Sequence, residues 1–176
     1  MSMLFVLGGA RSGKSAFALR EAESRGLPLV MIATAEALDE EMASRIQRHR
    51  EERGSNWTTI EAPIDLESAL SQVTPGSIVV IDCLTLWLSN LIHAGKDCIQ
   101  ATHQLINALK MHEAILIANE VGLGIVPDNA LSRLFRDEAG RMNQKVASAA
   151  DTVVFVAAGL PLYLKGQASI KQNEMK

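Results

Sequence analysis

The chain has 176 residues, of which 48% are apolar and 21% charged, and its formal net charge at pH 7 is −3. This length fits one domain spanning residues 1–176, and the apolar fraction is too high for a disordered chain. The small net charge excludes a bulk attraction to nucleic acid, and the longest apolar run, residues 153–158, is too short for a membrane span.

The cysteines, Cys83 and Cys98, lack the spacing of a metal site. Nothing in the chain indicates export, so we expect a cytoplasmic protein with reduced thiols, and we assign neither cysteine a chemical role. The apolar run near the N-terminus is short, and the glycines that follow it belong to another motif, so it does not resemble a signal peptide.

Short apolar runs recur along the chain at residues 3–7, 29–33, 78–81, 114–118 and 153–158. Because they are continuous, they are typical of strands buried on both faces of a parallel sheet. Segments of helical periodicity lie between them. In the last segment an apolar stripe follows Asp128, the expected N-cap, and it consists of Leu131, Phe135, Met142, Val146 and Ala149. The alternation predicts a three-layer α/β fold with a mostly parallel sheet and a ligand crevice at the carboxyl ends of its strands.

The first predicted strand runs directly into GGARSGKS, which matches the phosphate-binding pattern G-x-x-x-x-G-K-[ST] and precedes a helical stretch. Backbone amides of such a loop and the N-terminus of its helix bind phosphate oxygens. Lys14 can reach the β- and γ-phosphates, and the Ser15 hydroxyl can bind Mg²⁺. We therefore predict a P-loop NTPase-type fold with nucleotide-binding residues Gly8, Gly9, Ala10, Arg11, Ser12, Gly13, Lys14 and Ser15.

The helix-compatible segment at residues 39–53 carries one histidine, His49, among arginines. His49 shares a helix face with Met42 and Ile46, so one interpretation is a partly buried structural histidine. Beside a triphosphate site a second interpretation applies. Nearby arginines favour the neutral, nucleophilic imidazole and hold the phosphates while a ring nitrogen attacks the α-phosphorus. His49 is therefore the candidate catalytic residue.

Asp82 ends the buried run at residues 78–81. A carboxylate at the end of a strand near a phosphate loop is typical of a nucleotide site, where it helps to hold Mg²⁺. The other interpretation is that Asp82 caps the helix that follows it. Either role places Asp82 at the same rim of the sheet.

Several other polar or aromatic residues receive structural interpretations. We expect His103 and Trp87 to pack in the core. Arg133, Arg136 and Arg141 lie on a helix with acidic neighbours, and we expect them to form solvated ion pairs. Asn119 and Glu120 follow a buried strand and are weaker candidates for the site.

Four stretches together are specific to one family: GGARSGKS at residues 8–15, IATAEALDEEMASRIQRHR at 32–50, IDCLTLWLSNL at 81–91 and NEVGLGIVPDNALSRLFRDEAGRMNQ at 119–144. They resemble the bifunctional adenosylcobinamide kinase and adenosylcobinamide-phosphate guanylyltransferase family of cobalamin biosynthesis. The resemblance implies phosphorylation of adenosylcobinamide by ATP or GTP, followed by transfer of GMP from GTP to the new phosphate with release of pyrophosphate. It also implies that His49 is the guanylylated residue.

The resemblance implies further nucleotide contacts from Ala33, Thr34, Ala35, Arg50, Glu51, Glu52, Arg53, Glu61 and Asp82. It further implies a corrinoid substrate and a homotrimer in which one subunit helps to build its neighbour's corrinoid site. The similarity fades at residues 93–112 and after residue 165, so we assign no contacts to those stretches.

The sequence is also compatible with two other functions. The first is a simple metabolite kinase in which His49 is structural and no covalent nucleotide forms. The second is a GTP-dependent switch protein. That class favours the guanine-binding pattern N-K-x-D, whereas this chain has Asn119-Glu120-Val121-Gly122 at the nearest position.

Overall fold

A computed structural model describes residues 1–36, 40 and 56–166 of the chain. Several predictions fall outside these residues, namely the helix predicted at residues 39–53 and the site residues His49, Arg50, Glu51, Glu52 and Arg53. The fold and the site are therefore described from the phosphate loop, the sheet and the helices that flank it.

The described residues form a seven-stranded sheet with the order β3-β2-β4-β5-β1-β6-β7. All neighbouring strands are parallel except β6 and β7, which form an antiparallel hairpin at one edge. The strands are β1 (Met3–Gly8), β2 (Leu29–Ala33), β3 (Trp57–Glu61), β4 (Ile78–Asp82), β5 (Glu113–Asn119), β6 (Thr152–Ala157) and β7 (Leu160–Lys165). The predicted mostly parallel sheet is confirmed.

The apolar runs correctly indicate β1, β2, β4, β5 and β6, while β3 and β7 were not predicted. Both missed strands lie at edges of the sheet. Thr58 and Thr59 of β3 are exposed, and β7 alternates exposed leucines with other residues. An edge strand need not be buried on both faces, so neither segment has the continuous apolar run of a central strand.

Helices cover both faces of the sheet. Phe17, Ala18 and Ala22 of α1 (Lys14–Glu23) pack on one face. The other face is covered by α2 (Leu66–Ser71), α3 (Leu84–His93), α4 (Cys98–Leu109) and α5 (Ala130–Ala149). The β-strands therefore form the middle of three layers, and the predicted α/β architecture is confirmed.

The start of α5 differs from the sequence prediction. Its N-cap is Asn129, whose extended backbone lets the side-chain oxygen accept a 2.7 Å hydrogen bond from the Ser132 amide, so Asp128 is not the cap. The predicted apolar stripe is only partly correct. Met142 and Val146 are buried in the core, while Leu131 and Ala149 at the two ends are exposed.

The interpretation of Trp87 as a core residue is confirmed, since it is 2% exposed and its indole N–H donates to the Ile64 carbonyl at 2.8 Å. The interpretation of His103 was wrong. Its ring is exposed, and Nε2 lies 2.9 Å from Nζ of Lys145. Ile99 on the same helix face is also exposed, whereas Ile106 is half-buried and packs against the core.

Two of the three arginines of α5 bind acidic neighbours as predicted. Arg136 lies 3.5 Å from Asp137, and Arg141 lies 2.5 Å from Glu138. The expectation was wrong for Arg133, which donates instead to backbone carbonyls just before the helix, at Pro127 and Asp128. No helix in the described part of the chain is both long enough and apolar enough to cross a membrane.

Candidate functional site

The predicted site residues that the structure describes lie at the carboxyl ends of the parallel strands. In the strand register, Ala33 at the end of β2 is opposite Glu61 of β3 on one side and Asp82 of β4 on the other. Gly8 at the end of β1 is opposite Asn119 of β5. One edge of the sheet therefore brings together the phosphate loop, the end of β2 and the two predicted carboxylates.

The phosphate loop turns tightly between β1 and α1. The Ser12 amide donates to the Gly9 carbonyl at 3.3 Å, and Gly13, with φ of 93°, is the N-cap of α1. The helix begins at Lys14, so its N-terminal amides face the loop, where they favour anions. This is the strand–loop–helix arrangement that the motif requires.

The Lys14 side chain curls back over the loop. Its ammonium donates to the Gly9 carbonyl at 3.1 Å, and the residue is only 9% exposed. A buried ammonium over a ring of backbone amides has a strong preference for an anionic ligand. The geometry therefore supports the predicted role of Lys14 at nucleotide phosphates.

Gly8 has no room for a side chain. A Cβ there would lie 2.5 Å from Oγ of Ser12 and 2.6 Å from the carbonyl oxygen of Val156 in β6. The Ser12 hydroxyl is buried and has no hydrogen-bond partner within the described structure. The loop is thus packed directly against the backbone of β6.

The turn between β6 and β7 contacts the phosphate loop, and the sequence interpretation missed it. The Gly159 amide donates to the Ser12 carbonyl at 2.8 Å. Ala158 and Gly159 both have positive φ, at 50° and 79°. The dipeptide Ala158-Gly159 between two apolar runs was a signal for a tight turn, but its contact with residue 12 is not visible in a local pattern.

Asp82 is half-buried at the end of β4, and Cys83 rather than Asp82 is the N-cap residue of α3. The helix-capping interpretation of Asp82 was therefore wrong, because α3 begins one residue too late for it. Burial and the neighbouring Asp82 charge raise the pKa of the Cys83 thiol to about 11, while the Lys14 charge acts in the opposite direction. The charges of Asp82 and Lys14, both predicted at the phosphate site, therefore act on the Cys83 thiol.

Thr34 joins the end of β2 to the end of β4. It is completely buried, its amide donates to the Asp82 carbonyl at 3.2 Å, and its hydroxyl donates to the Cys83 carbonyl at 2.8 Å. The same hydroxyl accepts from the Cys83 amide at 2.8 Å. Thr34, predicted as a nucleotide contact, therefore has its side chain engaged within the protein.

Asn90 of α3 is a second residue that the sequence interpretation missed. Its amide nitrogen donates to the carbonyls of Thr34 and Pro63, both at 2.9 Å. The signal available in the sequence was its position three residues after Trp87, which places a polar side chain on the buried face of an apolar helix.

Glu61 ends β3 beside a cavity of about 330 Å³ between β3 and α2. The cavity is lined by both apolar and polar side chains, including Ile60, Asp65, Ser68 and Gln72. Asp65 also caps α2 by accepting from the Ser68 amide at 2.9 Å. The position of Glu61 at the crevice edge is compatible with its predicted contact to a nucleotide.

Asn119 and Glu120 lie between the phosphate loop and Asp82, because β5 separates β1 from β4. The Glu120 amide donates to the Gly8 carbonyl at 3.1 Å, and the Asn119 amide donates to Oγ1 of Thr85 at 2.6 Å. The Glu120 carboxylate accepts from the amide of Gly122 at 2.6 Å. These residues connect the two halves of the site through their backbone.

The donors available at this edge fit Mg²⁺ better than a transition metal. The described residues contain no cluster of three or more His, Cys, Asp or Glu side chains suited to a metal. Ser15 and Asp82 are oxygen donors, and Mg²⁺ commonly takes one or two protein oxygens together with waters and substrate phosphates. The residues present are thus compatible with a magnesium–nucleotide complex.

Residues 4–164 match the family described as cobinamide kinase / cobinamide phosphate guanyltransferase. The chain is 44% identical over 170 residues to the bifunctional adenosylcobalamin biosynthesis protein CobP of Pseudomonas aeruginosa, covering 92% of this chain and 96% of that relative. It is 38% identical over 184 residues to the bifunctional adenosylcobalamin biosynthesis protein CobU of Escherichia coli, covering 93% and 99%.

Solved structures with similar folds have much lower identity. The flagellar accessory protein FlaH of Methanocaldococcus jannaschii is 11% identical with a TM-score of 0.54, covering 94% of this chain and 79% of that one. The type III secretion ATPase EscN of enteropathogenic E. coli is 9% identical with a TM-score of 0.56, covering 89% and 43%. These likenesses concern the fold alone, and they confirm a P-loop NTPase fold.

The match covers most of the chain and most of each relative, and it includes the phosphate loop, the Thr34 turn and the end of β4 described above. The protein is therefore an enzyme of cobalamin biosynthesis that belongs to the cobinamide kinase / cobinamide phosphate guanyltransferase family.

Proposed function

We propose that the enzyme phosphorylates the side-chain hydroxyl of adenosylcobinamide with ATP or GTP, and then transfers GMP from GTP to that phosphate through a guanylyl-histidine at His49. The observation that carries the proposal is the phosphate loop with its buried Lys14, which lies at the same sheet edge as Asp82 and the end of β2. The segment containing His49 follows β2 at this edge.

In the first reaction the substrate hydroxyl oxygen attacks the γ-phosphorus, and the bond from that phosphorus to the bridging oxygen breaks. The loop amides and the Lys14 ammonium hold the phosphate oxygens and stabilise the charge that develops on them. Ser15 and Asp82 would hold Mg²⁺, which would neutralise part of the phosphate charge. The chain's own contribution is thus mainly to position and stabilise the phosphoryl group.

In the second reaction a neutral ring nitrogen of His49 attacks the α-phosphorus of GTP, and pyrophosphate leaves. An oxygen of adenosylcobinamide phosphate then attacks the same phosphorus, the phosphorus–nitrogen bond breaks, and His49 is restored. The arginines at positions 50 and 53 suit this chemistry because guanidinium groups hold phosphate oxygens and disfavour protonation of a nearby imidazole. Covalent catalysis divides one difficult transfer into two easier ones.

We further propose a cytoplasmic homotrimer in which a neighbouring subunit contributes to the corrinoid site. The loop after β5 exposes a patch of apolar side chains, with Leu123 at 81% and Ile125 at 96% exposure, and β7 exposes Leu160, Leu162 and Leu164. Large exposed apolar patches are typical of interaction surfaces. Light scattering on the purified protein should give three times the mass of one chain, and a monomeric mass would contradict the trimer.

Intact-mass spectrometry after incubation with GTP and Mg²⁺ tests the covalent step. Wild type should gain the mass of one GMP, and the adduct should be labile in acid and stable in base, as a phosphoramidate is. His49→Ala should form no adduct, while His103→Ala, which changes an exposed histidine on α4, serves as the matched control. Phosphorylation of adenosylcobinamide with no adduct on wild type would instead favour the simple metabolite kinase.

A further inference from the structure

We infer that the side-chain amide of Asn119 binds the γ-phosphoryl group in the kinase reaction and stabilises the charge that develops on its oxygens. The inference rests on the proposed function, because that function places a nucleoside triphosphate in the phosphate loop. Asn119 is the last residue of β5, the strand that lies between β1 and β4 in the sheet. Three features of the structure support the contact: the register of Asn119, the face on which it lies and its hydrogen bonds.

The strand register places Asn119 beside the phosphate loop. Asn119 is opposite Gly8, where β1 ends and the loop begins. On the other side of β5, Asp82 is opposite Ile117, so Asn119 lies two residues further toward the crevice than Asp82. Neighbouring strands are about 4.8 Å apart and each residue advances about 3.3 Å along a strand, so the Asn119 backbone lies within about 10 Å of both Gly8 and Asp82.

Asn119 lies on the same face of the sheet as α1. Ile115 and Ile117 of β5 pack in the core cluster that contains Phe17 of α1, and the residues between them pack in the opposite cluster. Because successive side chains of a strand alternate between the two faces, Asn119 continues the α1 side. The same alternation along β4, where Val80 packs on the α1 side, places Asp82 there as well. Asn119 therefore shares one face with the predicted phosphate-site residues.

The backbone of Asn119 is fixed, while its side-chain amide is available to a ligand. The Asn119 amide N–H donates to Oγ1 of Thr85 at 2.6 Å, and Thr85 is buried. The half-buried side chain makes no hydrogen bond to the residues that the structure describes. The next residue differs, because the Glu120 carboxylate accepts from the Gly122 amide and its negative charge would repel a phosphate. Asn119 is thus the neutral hydrogen-bond donor at the end of this strand.

The groups on either side of Asn119 identify the γ-phosphate as the ligand. Lys14 lies over the loop, where the ammonium of such a lysine reaches the β- and γ-phosphates. Asp82, on the other side, is at the position of a carboxylate that supports a metal ion bridging the same two phosphates. The terminal phosphate would therefore lie between the loop and Asp82, which is where the Asn119 side chain lies.

The role assigned to Asn119 is electrostatic. During phosphoryl transfer, negative charge is spread over the equatorial oxygens of the γ-phosphoryl group. An N–H donor fixed in advance toward these oxygens stabilises that charge without the cost of reorganisation. No bond to Asn119 forms or breaks, and the amide keeps its protons throughout.

The test compares Asn119→Ala, which removes the amide, with Asn119→Asp, which replaces it by a charged acceptor. Asn107→Ala, at an exposed position on α4, is the matched control. Steady-state assays give kcat and KM for phosphorylation of adenosylcobinamide by ATP. Calorimetry gives the Kd of ADP and of the β,γ-imido analogue of ATP, which differ in the γ-phosphate. Urea unfolding shows whether each variant is folded.

We expect Asn119→Ala to lower kcat by about 100-fold, as the loss of one donor to a developing oxyanion does. Its affinity for the imido analogue should fall by about tenfold, because hydrogen bonds to charged groups are strong, while the Kd of ADP changes by less than about threefold. Asn119→Asp should bind the analogue still more weakly, since its carboxylate repels the γ-phosphate. Asn107→Ala should match wild type, and Asn119→Ala should remain folded because its backbone bond to Thr85 is kept.

A normal kcat in Asn119→Ala would overturn the inference. Equal losses of affinity for ADP and for the imido analogue would also overturn it, because Asn119 would then only shape the nucleotide pocket. A wild-type protein that binds both nucleotides but does not phosphorylate adenosylcobinamide would overturn the proposed function. The comparison of the two nucleotides does not depend on the corrinoid, so the two failures are distinguishable.

Discussion

The Gly159 amide donates to the Ser12 carbonyl at 2.8 Å, which ties the turn of the β6–β7 hairpin to the phosphate loop. The contact between Gly13 and Gly159 is equally close, since a Cβ on Gly13 would lie 3.1 Å from the Gly159 Cα. The loop is therefore supported by backbone on two sides, from its own helix and from this hairpin.

Gly13→Ala should destabilise the fold by about 1–3 kcal/mol, because a side chain at φ of 93° is strained and also meets the Gly159 backbone. Urea unfolding measures the change, and calorimetry with GTP measures the accompanying loss of binding. Gly9→Ala is the control for stability alone, since its Cβ would meet nothing within 4 Å. Equal unfolding free energies for the two variants would contradict the proposed packing.

Lys14→Ala should reduce both phosphorylation and GMP adduct formation by about 100-fold or more, because we expect both nucleotides to use the same phosphate nest. The two assays are transfer of labelled γ-phosphate and intact-mass spectrometry after GTP. Lys110→Ala, at an exposed position after α4, is the control. Normal adduct formation in Lys14→Ala would indicate separate sites for the two reactions.

His112 should make stability depend on pH below neutrality. Burial lowers the pKa of its imidazole from the ordinary value of 6.5. As the pH falls through 6.5, the unfolded chain therefore takes up a proton before the folded chain does, and the folded state loses stability. Unfolding free energies at pH 7 and pH 5 should show a smaller decline for His112→Gln than for wild type. Identical declines would contradict this role.

The two cysteines should differ in reactivity. Burial raises the pKa of both thiols, but Cys83 lies in the core whereas Cys98 is only half-buried. Since the thiolate is the reactive form and must also be accessible, iodoacetamide at mildly alkaline pH should modify Cys98 first. Peptide mass spectrometry of the folded and the urea-unfolded protein measures both positions. Rapid modification of Cys83 in the folded state would be the contrary result.

Local sequence patterns predict the central part of the fold well. β1, the phosphate loop and α1 follow from one continuous motif, and the buried strands follow from unbroken apolar runs such as Ile78 to Ile81. The edge strands β3 and β7 were missed because a strand that is buried on one side only lacks the unbroken apolar run of a central strand. Asp128 was predicted as the helix cap, but the cap is the adjacent Asn129, and both residue types are suitable for this position.

Site residues that belong to a local sequence motif were predicted. Site residues that act through contacts between segments distant in the sequence were missed. Gly159 contacts Ser12 only because β6 lies beside β1. Asn90 meets Thr34 and Pro63 only because α3 passes over the ends of β2 and β3. Such contacts depend on strand order, and strand order is not visible in the local pattern around either residue.

The order of the strands has a consequence for synthesis of the protein on the ribosome. β1 is made first among the described strands, yet its neighbours in the sheet are β5 and β6, which are made more than a hundred residues later. Contacts between residues so distant in sequence form slowly. A nascent chain that ends before β6 therefore cannot complete its nucleotide pocket, and the enzyme gains this capacity only after β6 has been synthesised.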